Sequence, residues 1–131
     1  TSASPHMTNA RRRIGARAEE LVSRRLQASG WRILERNART RHGELDIVAL
    51  DGGTLVFVEV KAARAGAESG PERPILAIDR RKQLQVRRLA TAWMAERRDA
   101  PLYEAIRFDA VGVTFDRSGR AIDIEHIRNA F

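Results

Sequence analysis

The feature that most constrains the fold is a pair of apolar segments joined by two glycines. The first segment is ELDIVALD (residues 44–51), the second is TLVFVEVKA (residues 54–62), and Gly52 and Gly53 lie between them. A two-residue glycine link between such segments predicts a β-hairpin, because glycine adopts the positive φ angles that tight hairpin turns require. We therefore expect a sheet in which this hairpin supplies two neighbouring strands.

Acidic residues lie inside both strands of this hairpin. If the two glycines form its tip, Asp46 lies opposite Glu59 and Glu44 lies opposite Lys61. Residues two apart in a strand share a face, so all four side chains are expected to project from the same side of the hairpin. Like charges placed directly opposite each other destabilise a sheet, so this arrangement requires compensation.

Two kinds of compensation are consistent with the sequence. A divalent cation could bridge the carboxylates, and an oxygen-only ligand set favours Mg²⁺ or Mn²⁺ over zinc. Alternatively, Lys61 could form a structural network of ion pairs with Glu44 and nearby arginines. The TLVFVEVKA strand is apolar enough to be central in the sheet, where an unpaired carboxylate is costly, and this favours the cation.

The rest of the chain predicts two helices and three further strands. Apolar residues recur at helical spacing over residues 11–31, where Gly30 is placed to end the helix, and Asp79 is placed to cap a second helix that extends to about Arg98. The further strands are predicted at residues 31–37, 105–115 and 121–127. The order α-β-β-β-α-β-β predicts an α/β fold, with a mixed β-sheet flanked by helices.

A chain of 131 residues has the size of one compact domain. We interpret TSASPHM (residues 1–7) as a cloning scar and residues 8–131 as the domain. Residues 63–74 combine Gly, Pro, Ser and charge without an apolar period, which predicts a mobile loop. The absence of cysteine excludes disulfide bonds and thiolate zinc sites, and it is typical of cytoplasmic proteins.

Basic residues are in excess, with 24 Lys and Arg against 17 Asp and Glu and a formal charge of +7. This excess indicates a polyanionic partner, nucleic acid first and an acidic membrane surface second, although solubilising surface charge gives the same composition. No run of about 18 apolar residues is present, so no segment is expected to span a membrane. The start of the second helix is especially basic, with Arg80, Arg81, Lys82, Arg87 and Arg88.

Three charged residues outside the hairpin have two interpretations each. Glu19 lies on the margin of the apolar stripe of the first helix, where it either reaches an interior site or remains solvated. Asp109 either joins a site or bonds the backbone or Arg107, and Lys82 is either a phosphate contact or a solvated charge. The sequence also predicts Trp31 and Trp93 as core, His42 as a loop residue, and Leu84, Leu89, Trp93 and Met94 as packing residues of the second helix.

Five short motifs occur in order along the chain: Gly15 with Glu19, Gly43-Glu44-Leu45-Asp46, Phe57-Val58-Glu59-Val60-Lys61, Lys82, and Arg107-Phe108-Asp109. Together they resemble the PD-(D/E)xK nuclease superfamily, and within it the small bacterial YraN-like family. The resemblance covers nearly all of the chain after residue 7. The superfamily's Pro-Asp pair is Leu45-Asp46 here, as is usual in this family, and Ala63 stands where the family often has a basic residue, with Arg64 next to it.

The resemblance implies a restriction-endonuclease-like fold and a metal-dependent endonuclease that hydrolyses DNA phosphodiesters, on branched or damaged DNA as in archaeal Holliday-junction resolvases. Lys61 would orient or help to deprotonate the attacking water. The implied ligands of Mg²⁺ or Mn²⁺ are Asp46, Glu59, Glu19 and the backbone carbonyl of Val60. The residues implied to bind nucleic acid are Arg64, Arg80, Arg81 and Lys82, and the accessory candidates are Glu44 and Asp109.

Two other functions remain consistent with the sequence. The first is a non-catalytic nucleic-acid-binding module that keeps the nuclease fold and retains the acids as structural residues. The second is an adaptor whose basic helices bind an acidic protein partner. A nuclease that acts on a two-fold symmetric junction would be expected to form a homodimer.

Overall fold

The computed structural model describes residues 5–66 and 73–131, with side chains from residue 10 onward. Two α-helices, five β-strands and a short 3₁₀ turn make up these residues. In chain order they are α1 (Pro5–Ala28), β1 (Arg32–Thr40), β2 (Gly43–Asp51), β3 (Thr54–Arg64), the 3₁₀ turn (Pro74–Ala77), α2 (Arg80–Glu96), β4 (Ala105–Phe115) and β5 (Ala121–Ile127).

The five strands form one mixed sheet in the order β1-β2-β3-β4-β5. Neighbouring strands are antiparallel except β3 and β4, which are parallel and are connected through α2. A parallel pair requires such a crossover, because a tight turn cannot return the chain to the same end of the sheet. The α-β-β-β-α-β-β order and the mixed sheet are confirmed, and they are consistent with a restriction-endonuclease-like fold.

The element boundaries follow the local sequence signals closely. Strands β4 and β5 coincide with their predicted ranges, and the Asp79 side chain caps α2 by accepting a hydrogen bond from the Lys82 N–H at 2.9 Å. Strand β3 extends to Arg64, so the first two residues of the predicted loop belong to the strand, and Pro74 opens the 3₁₀ turn. The central part of that loop, residues 67–72, lies outside the described residues.

Each helix covers one face of the sheet. Helix α1 packs Val22 and Leu26 against alternate residues of the central strands, while α2 packs Leu89 and Trp93 against the other set. The α1 layer includes Ile47, Val56, Val58, Val60 and Val111, and the α2 layer includes Leu45, Val48, Leu55, Phe57 and Phe108. Among the described residues, no helix is long and apolar enough to cross a lipid bilayer.

The aromatic predictions are confirmed, but one predicted packing residue of α2 is wrong. Trp31 is 5% exposed and Trp93 is 2% exposed, so both belong to the core. Leu84 is 57% exposed. The buried stripe of α2 runs through Val86, Leu89 and Trp93. Leu84 lies two residues before Val86, which is a rotation of about 200° around the helix, so its side chain faces solvent.

Candidate active site

Strands β2 and β3 separate at Asp46. Their ladder runs from Asp51 opposite Thr54 to Ile47 opposite Val58, which confirms the glycine tip and the predicted register over these pairs. The predicted ladder pair of Asp46 with Glu59 is not formed, because the ladder ends before it. Beyond that point the Asp46 carboxylate accepts a hydrogen bond from the Val60 N–H at 2.8 Å, while β3 continues along β4 on its other side. A side chain therefore replaces the next ladder bond, and Asp46 lies where the gap between the strands begins.

A local twist of β1 and β2 accompanies this separation. Asn37, between the paired positions Arg36–Ile47 and Ala38–Leu45, has a positive φ of 51°. In a regular strand Leu45 and Ile47 would share a face, yet Ile47 packs in the α1 layer and Leu45 in the α2 layer. The strand is therefore rotated at Asp46, between the two layers.

The same rotation changes the environment of Glu44. Its backbone position is paired with Arg39 of β1, and its side chain is exposed. The ladder between β2 and β3 has already ended there, and Lys61 forms no ion pair with Glu44 in the described part of the chain. The predicted Glu44–Lys61 pairing is therefore not formed, because it assumed a regular ladder beyond Asp46.

Glu59 lies between two lysines. Its side chain is 4% exposed, and its Oε2 is 3.4 Å from the Lys82 Nζ and 3.7 Å from the Lys61 Nζ. Lys61 comes from the same strand, whereas Lys82 comes from the first turn of α2, which Asp79 caps. Both lysines are about one-third exposed, whereas Glu59 is buried beneath them, so solvent reaches the ammonium groups and not the carboxylate.

Glu19 reaches the same region from α1. Burial raises the pKa of Glu19 to about 7, and the negative charge of Asp46 and a hydrogen bond with its carboxyl group act in the same direction, while Arg36 and Asn37 oppose them. This shift requires Glu19 to lie against Asp46. Glu19 is therefore half-buried against Asp46 and is not a fully solvated helix residue, and its role in a site stays a prediction.

The Glu59 carboxyl group shows the same effect from the other side of Asp46. Burial raises its pKa to about 7 and the charge of Asp46 adds to this, although Lys82 and Lys61 act to lower it. Asp46 therefore lies between two carboxyl groups that resist ionisation. We call Glu19, Asp46 and Glu59 the acidic cluster; Lys61 and Lys82 beside Glu59 and Arg36 beside Glu19 supply positive charge around it.

The donor chemistry of the acidic cluster suits a hard divalent cation. All three members offer carboxylate oxygens, and Val60 adjoins them through its N–H bond to Asp46. Burial, with the charge of Asp46, raises the pKa values of Glu19 and Glu59. Oxygen-only donors favour Mg²⁺ or Mn²⁺, and such an ion would stabilise the ionised carboxylates against both effects. As the side chains stand, no group of three or more acidic or histidine residues within the described chain converges tightly enough to hold a metal ion.

The chain matches the model of the uncharacterised protein family UPF0102 over residues 18–113, a range that includes the acidic cluster and both lysines. The chain belongs to the UPF0102 family. It is 46% identical to a UPF0102 protein of Geobacter metallireducens over 118 residues, which are 90% of this chain and 91% of that protein. It is 43% identical to one of Pelotomaculum thermopropionicum over 125 residues, covering 95% of this chain and all of that protein.

A third relative, from Parafrankia, is 46% identical over 121 residues, covering 91% of this chain and 96% of that protein. This UPF0102 protein therefore matches its relatives over nearly their whole length. The YraN-like family expected from the sequence motifs is confirmed as UPF0102.

In this UPF0102 protein, Asp109 lies on the face of the sheet opposite Glu59. It is fully buried beside Val58 in the α1 layer, and Arg107 donates to it at 2.8 and 3.1 Å. The His126 Nε2 is 2.8 Å from the same carboxylate and the Asn129 N–H donates to it at 3.0 Å. The interpretation of Asp109 as bonded to Arg107 and the backbone is confirmed, and the structure does not bring it to the acidic cluster.

The predicted phosphate-binding arginines of the UPF0102 protein lie at the surface, on the two elements that carry Lys61 and Lys82. Arg64 ends β3, and Arg80 and Arg81 open α2 next to Lys82; all three arginines are exposed. His42 is exposed in the β1–β2 turn, which confirms it as a loop residue.

Two partnerships were missed from the sequence. The contact of Lys82 with Glu59 had a signal, because Lys82 lies four residues before Val86 and seven before Leu89, so it begins the buried stripe of α2. For the contact of His126 with Asp109, the alternation of β5 could predict only the face on which His126 lies. The contact itself depends on β4 and β5 being neighbours in the sheet.

Proposed function

We propose that this UPF0102 protein is a metal-dependent nuclease of the PD-(D/E)xK superfamily that hydrolyses DNA phosphodiesters. The observation that carries the proposal is the position of Asp46, Glu59 and Lys61 where β2 and β3 separate. The separation brings two carboxylates and an ammonium group together at the end of a rigid hairpin. Acidic and basic groups held this close are typical of hydrolytic sites.

The residues that would hold Mg²⁺ or Mn²⁺ are Asp46, Glu59, the carbonyl of Val60 and Glu19. When bound, the ion supplies Lewis-acid stabilisation of the charge that develops on the phosphate. The chain's own contribution is to hold Asp46 in place through its bond with the Val60 N–H. That bond leaves Asp46 beside both glutamates, and a bound cation would favour their ionised forms, which burial and the charge of Asp46 oppose.

Lys61 would act on the attacking water. Its ammonium group is 3.7 Å from Glu59 and about one-third exposed, so it can contact both the cluster and a molecule that enters from solvent. An ammonium at this position orients water or a phosphate oxygen by hydrogen bonding and charge. Lys82, 3.4 Å from Glu59, would add a second positive charge on the α2 side.

Nucleic acid is the substrate class that best matches the charge of the chain, and the resemblance to the PD-(D/E)xK superfamily favours DNA. The formal charge is +7, and the exposed Arg64, Arg80 and Arg81 lie on the two elements that carry Lys61 and Lys82. Contacts of this kind position a phosphate backbone without reading base sequence. Branched or damaged DNA, which a shape-dependent enzyme can select, is the proposed target, and a homodimer would suit a two-fold junction.

A specific observation also favours a second candidate, a nucleic-acid-binding module without catalysis. Glu59 already has two lysine partners, and the acidic side chains within the described residues do not converge on a cation position. In this case the acidic cluster would stabilise the separation of β2 and β3, and the basic surface alone would carry the function.

A cleavage assay separates the two candidates. Wild type is incubated with plasmid and with four-way-junction DNA in Mn²⁺, Mg²⁺ or EDTA, beside Asp46→Asn, Glu59→Gln and Lys61→Ala. We expect metal-dependent cleavage that each substitution lowers by about 10²-fold or more while DNA binding persists. Glu20→Gln is the matched control, since Glu20 neighbours Glu19 but faces solvent. Cleavage of equal strength in every variant would indicate a contaminating nuclease, and no cleavage with any metal would support the binding module.

A further inference from the structure

A groove runs between α2 and the β1–β2 turn, beside the acidic cluster but outside it. It consists of two adjoining cavities of about 260 and 240 Å³ that share His42 and Arg88. We call it the α2–turn groove and define it by Arg41, His42, Arg81, Leu84, Gln85 and Arg88.

Positive charge without a carboxylate partner is the main property of this groove. Arg41, Arg81 and Arg88 are all exposed, and in the described part of the chain no carboxylate oxygen lies within 4 Å of their guanidinium groups. The carboxylate near the rim, Glu96, accepts from the backbone N–H of Arg41 and pairs with Arg97. The guanidinium of Arg88 instead lies 3.4 Å from the Nδ1 of His42. Three guanidinium groups are therefore available to an anion.

The groove is fixed in position relative to the acidic cluster. Gly43, with a φ of +142°, lies so close to α2 that a Cβ atom there would be 3.3 Å from the Leu89 Cδ2. This close approach holds the turn against the helix. The two elements that form the groove also lead to the acidic cluster. Strand β2 carries Asp46 three residues after Gly43, and α2 carries Lys82, which contacts Glu59, next to Arg81.

Two of the arginines lie along one face of α2. Arg81 and Arg88 are seven residues apart, which is about 10 Å along the helix axis. Their long side chains are therefore placed to contact separate phosphates of one extended polyanion. Guanidinium groups bind phosphate oxygens through paired hydrogen bonds, and Leu84 between them offers apolar contact to a sugar or base edge.

We propose that the α2–turn groove binds the sugar–phosphate backbone of a nucleic acid, and so holds one strand of the substrate a few nucleotides from the acidic cluster. The assignment of the strand as a substrate rests on the proposed nuclease function, whereas the binding itself does not. The three guanidinium groups without a carboxylate partner among the described residues, and the continuity of α2 with Lys82 beside the acidic cluster, favour nucleic acid over an acidic protein.

The test compares two double variants of the full chain that lose equal charge. Arg41→Ala with Arg88→Ala removes two groove arginines, and Arg32→Ala with Arg117→Ala removes two exposed arginines from β1 and the β4–β5 turn. Binding of a short fluorescein-labelled DNA duplex is followed by anisotropy in EDTA, between about 50 and 200 mM salt. Melting temperatures verify folding, and Arg88→Gln alone replaces the groove variant if the double does not fold.

We expect the groove variant to weaken binding by about tenfold or more and to lower the slope of log affinity against log salt by about two. The control is expected to stay within about twofold of wild type. Equal weakening in both variants, or an unchanged affinity in the groove variant, would overturn the proposal. Displacement of the DNA by polyglutamate at equal charge concentration would also overturn it, in favour of an acidic protein.

The outcome is separable from that of the nuclease proposal, because binding is measured without metal. A protein that binds DNA through the groove but cuts nothing would refute the nuclease and leave the groove assignment standing. A protein that cuts DNA but binds it equally well without Arg41 and Arg88 would refute the groove alone.

Discussion

The Asp46 carboxylate accepts the backbone N–H of Val60 at 2.8 Å, at the position where the β2–β3 ladder stops. Backbone N–H groups of a strand point along the plane of the sheet, so this bond draws the Asp46 side chain into that plane instead of onto either face. Asp46 can then meet Glu19 from the α1 side and Glu59 from the α2 side. One hydrogen bond thereby assembles the acidic cluster.

Two replacements of Asp46 are expected to distinguish the effect of its hydrogen bond on stability from the effect of its charge. Asp46→Ala leaves the Val60 N–H without its acceptor, and a buried unsatisfied donor costs about 1–3 kcal/mol. Asp46→Asn keeps an acceptor oxygen and removes the charge that opposes ionisation of Glu19 and Glu59. Urea denaturation at pH 8 in EDTA should therefore give Asp46→Asn a free energy of unfolding about 1 kcal/mol or more above that of Asp46→Ala. Equal values in the two variants would contradict this role of the hydrogen bond.

The stability of the metal-free protein is expected to depend on pH through Glu59. Its pKa is about 7 in the folded protein, against about 4.3 for an unperturbed glutamate. A group with a raised carboxyl pKa takes up a proton on folding, so its contribution to the free energy of unfolding is largest below about pH 4.3 and falls as pH rises to about 7. At pH 8 Glu59→Gln should therefore be more stable than wild type, by about 1 kcal/mol or more.

The control for this pH dependence is Glu20→Gln, which changes an exposed glutamate of α1. It should keep the wild-type fall in stability between about pH 4.3 and 7. Chemical denaturation at several pH values measures the difference between each variant and wild type. A Glu59→Gln curve parallel to that of wild type would contradict the raised pKa.

Asp109 is expected to matter for stability and not for catalysis. Burial alone would raise its pKa, but hydrogen bonds from His126, Arg107 and the Asn129 N–H outweigh burial and hold the pKa below its usual range. Asp109→Asn breaks this buried network and should cost about 3 kcal/mol, whereas Asp123→Asn on the exposed side of β5 should cost little. Loss of cleavage in Asp109→Asn at a temperature where it remains folded would contradict the separation of the two sites.

Lys82 is expected to compete with a cation for Glu59, because its ammonium group is 3.4 Å from the carboxylate. At pH 8.5, where the glutamates are ionised, Lys82→Gln should bind Mn²⁺ several-fold more tightly than wild type and cleave DNA more slowly. Arg80→Gln removes the same charge from the same helix turn without a contact to Glu59, and it should leave the Mn²⁺ affinity near that of wild type. Equal changes in both variants would indicate only a general effect of charge.

Local patterns were sufficient to predict much of this structure. The glycine pair and the alternation beside it fixed the pairing from Asp51–Thr54 to Ile47–Val58, and Asp79 marked the start of α2. These features depend on neighbours in the chain, which is why the sequence alone predicts them.

The features that the sequence did not predict depend on tertiary structure. A positive φ at Asn37 accompanies the rotation of β2 that turns Glu44 away from Lys61, and strand alternation assumes that no such rotation occurs. The contacts of Lys82 with Glu59 and of His126 with Asp109 require knowledge of which elements become neighbours. The sequence therefore predicted the members of the acidic cluster and Lys61 beside them, but not the contact of Lys82 with Glu59.

Calorimetric titration of Mn²⁺ into the metal-free protein at pH 8 tests the central claim most directly. Wild type and Glu20→Gln should release saturable heat for a single site at millimolar or lower Mn²⁺, because both glutamates are largely ionised at this pH. Asp46→Asn and Glu59→Gln, both folded, should show no such binding. The same saturable heat in Glu59→Gln as in wild type would contradict a cation site at the acidic cluster.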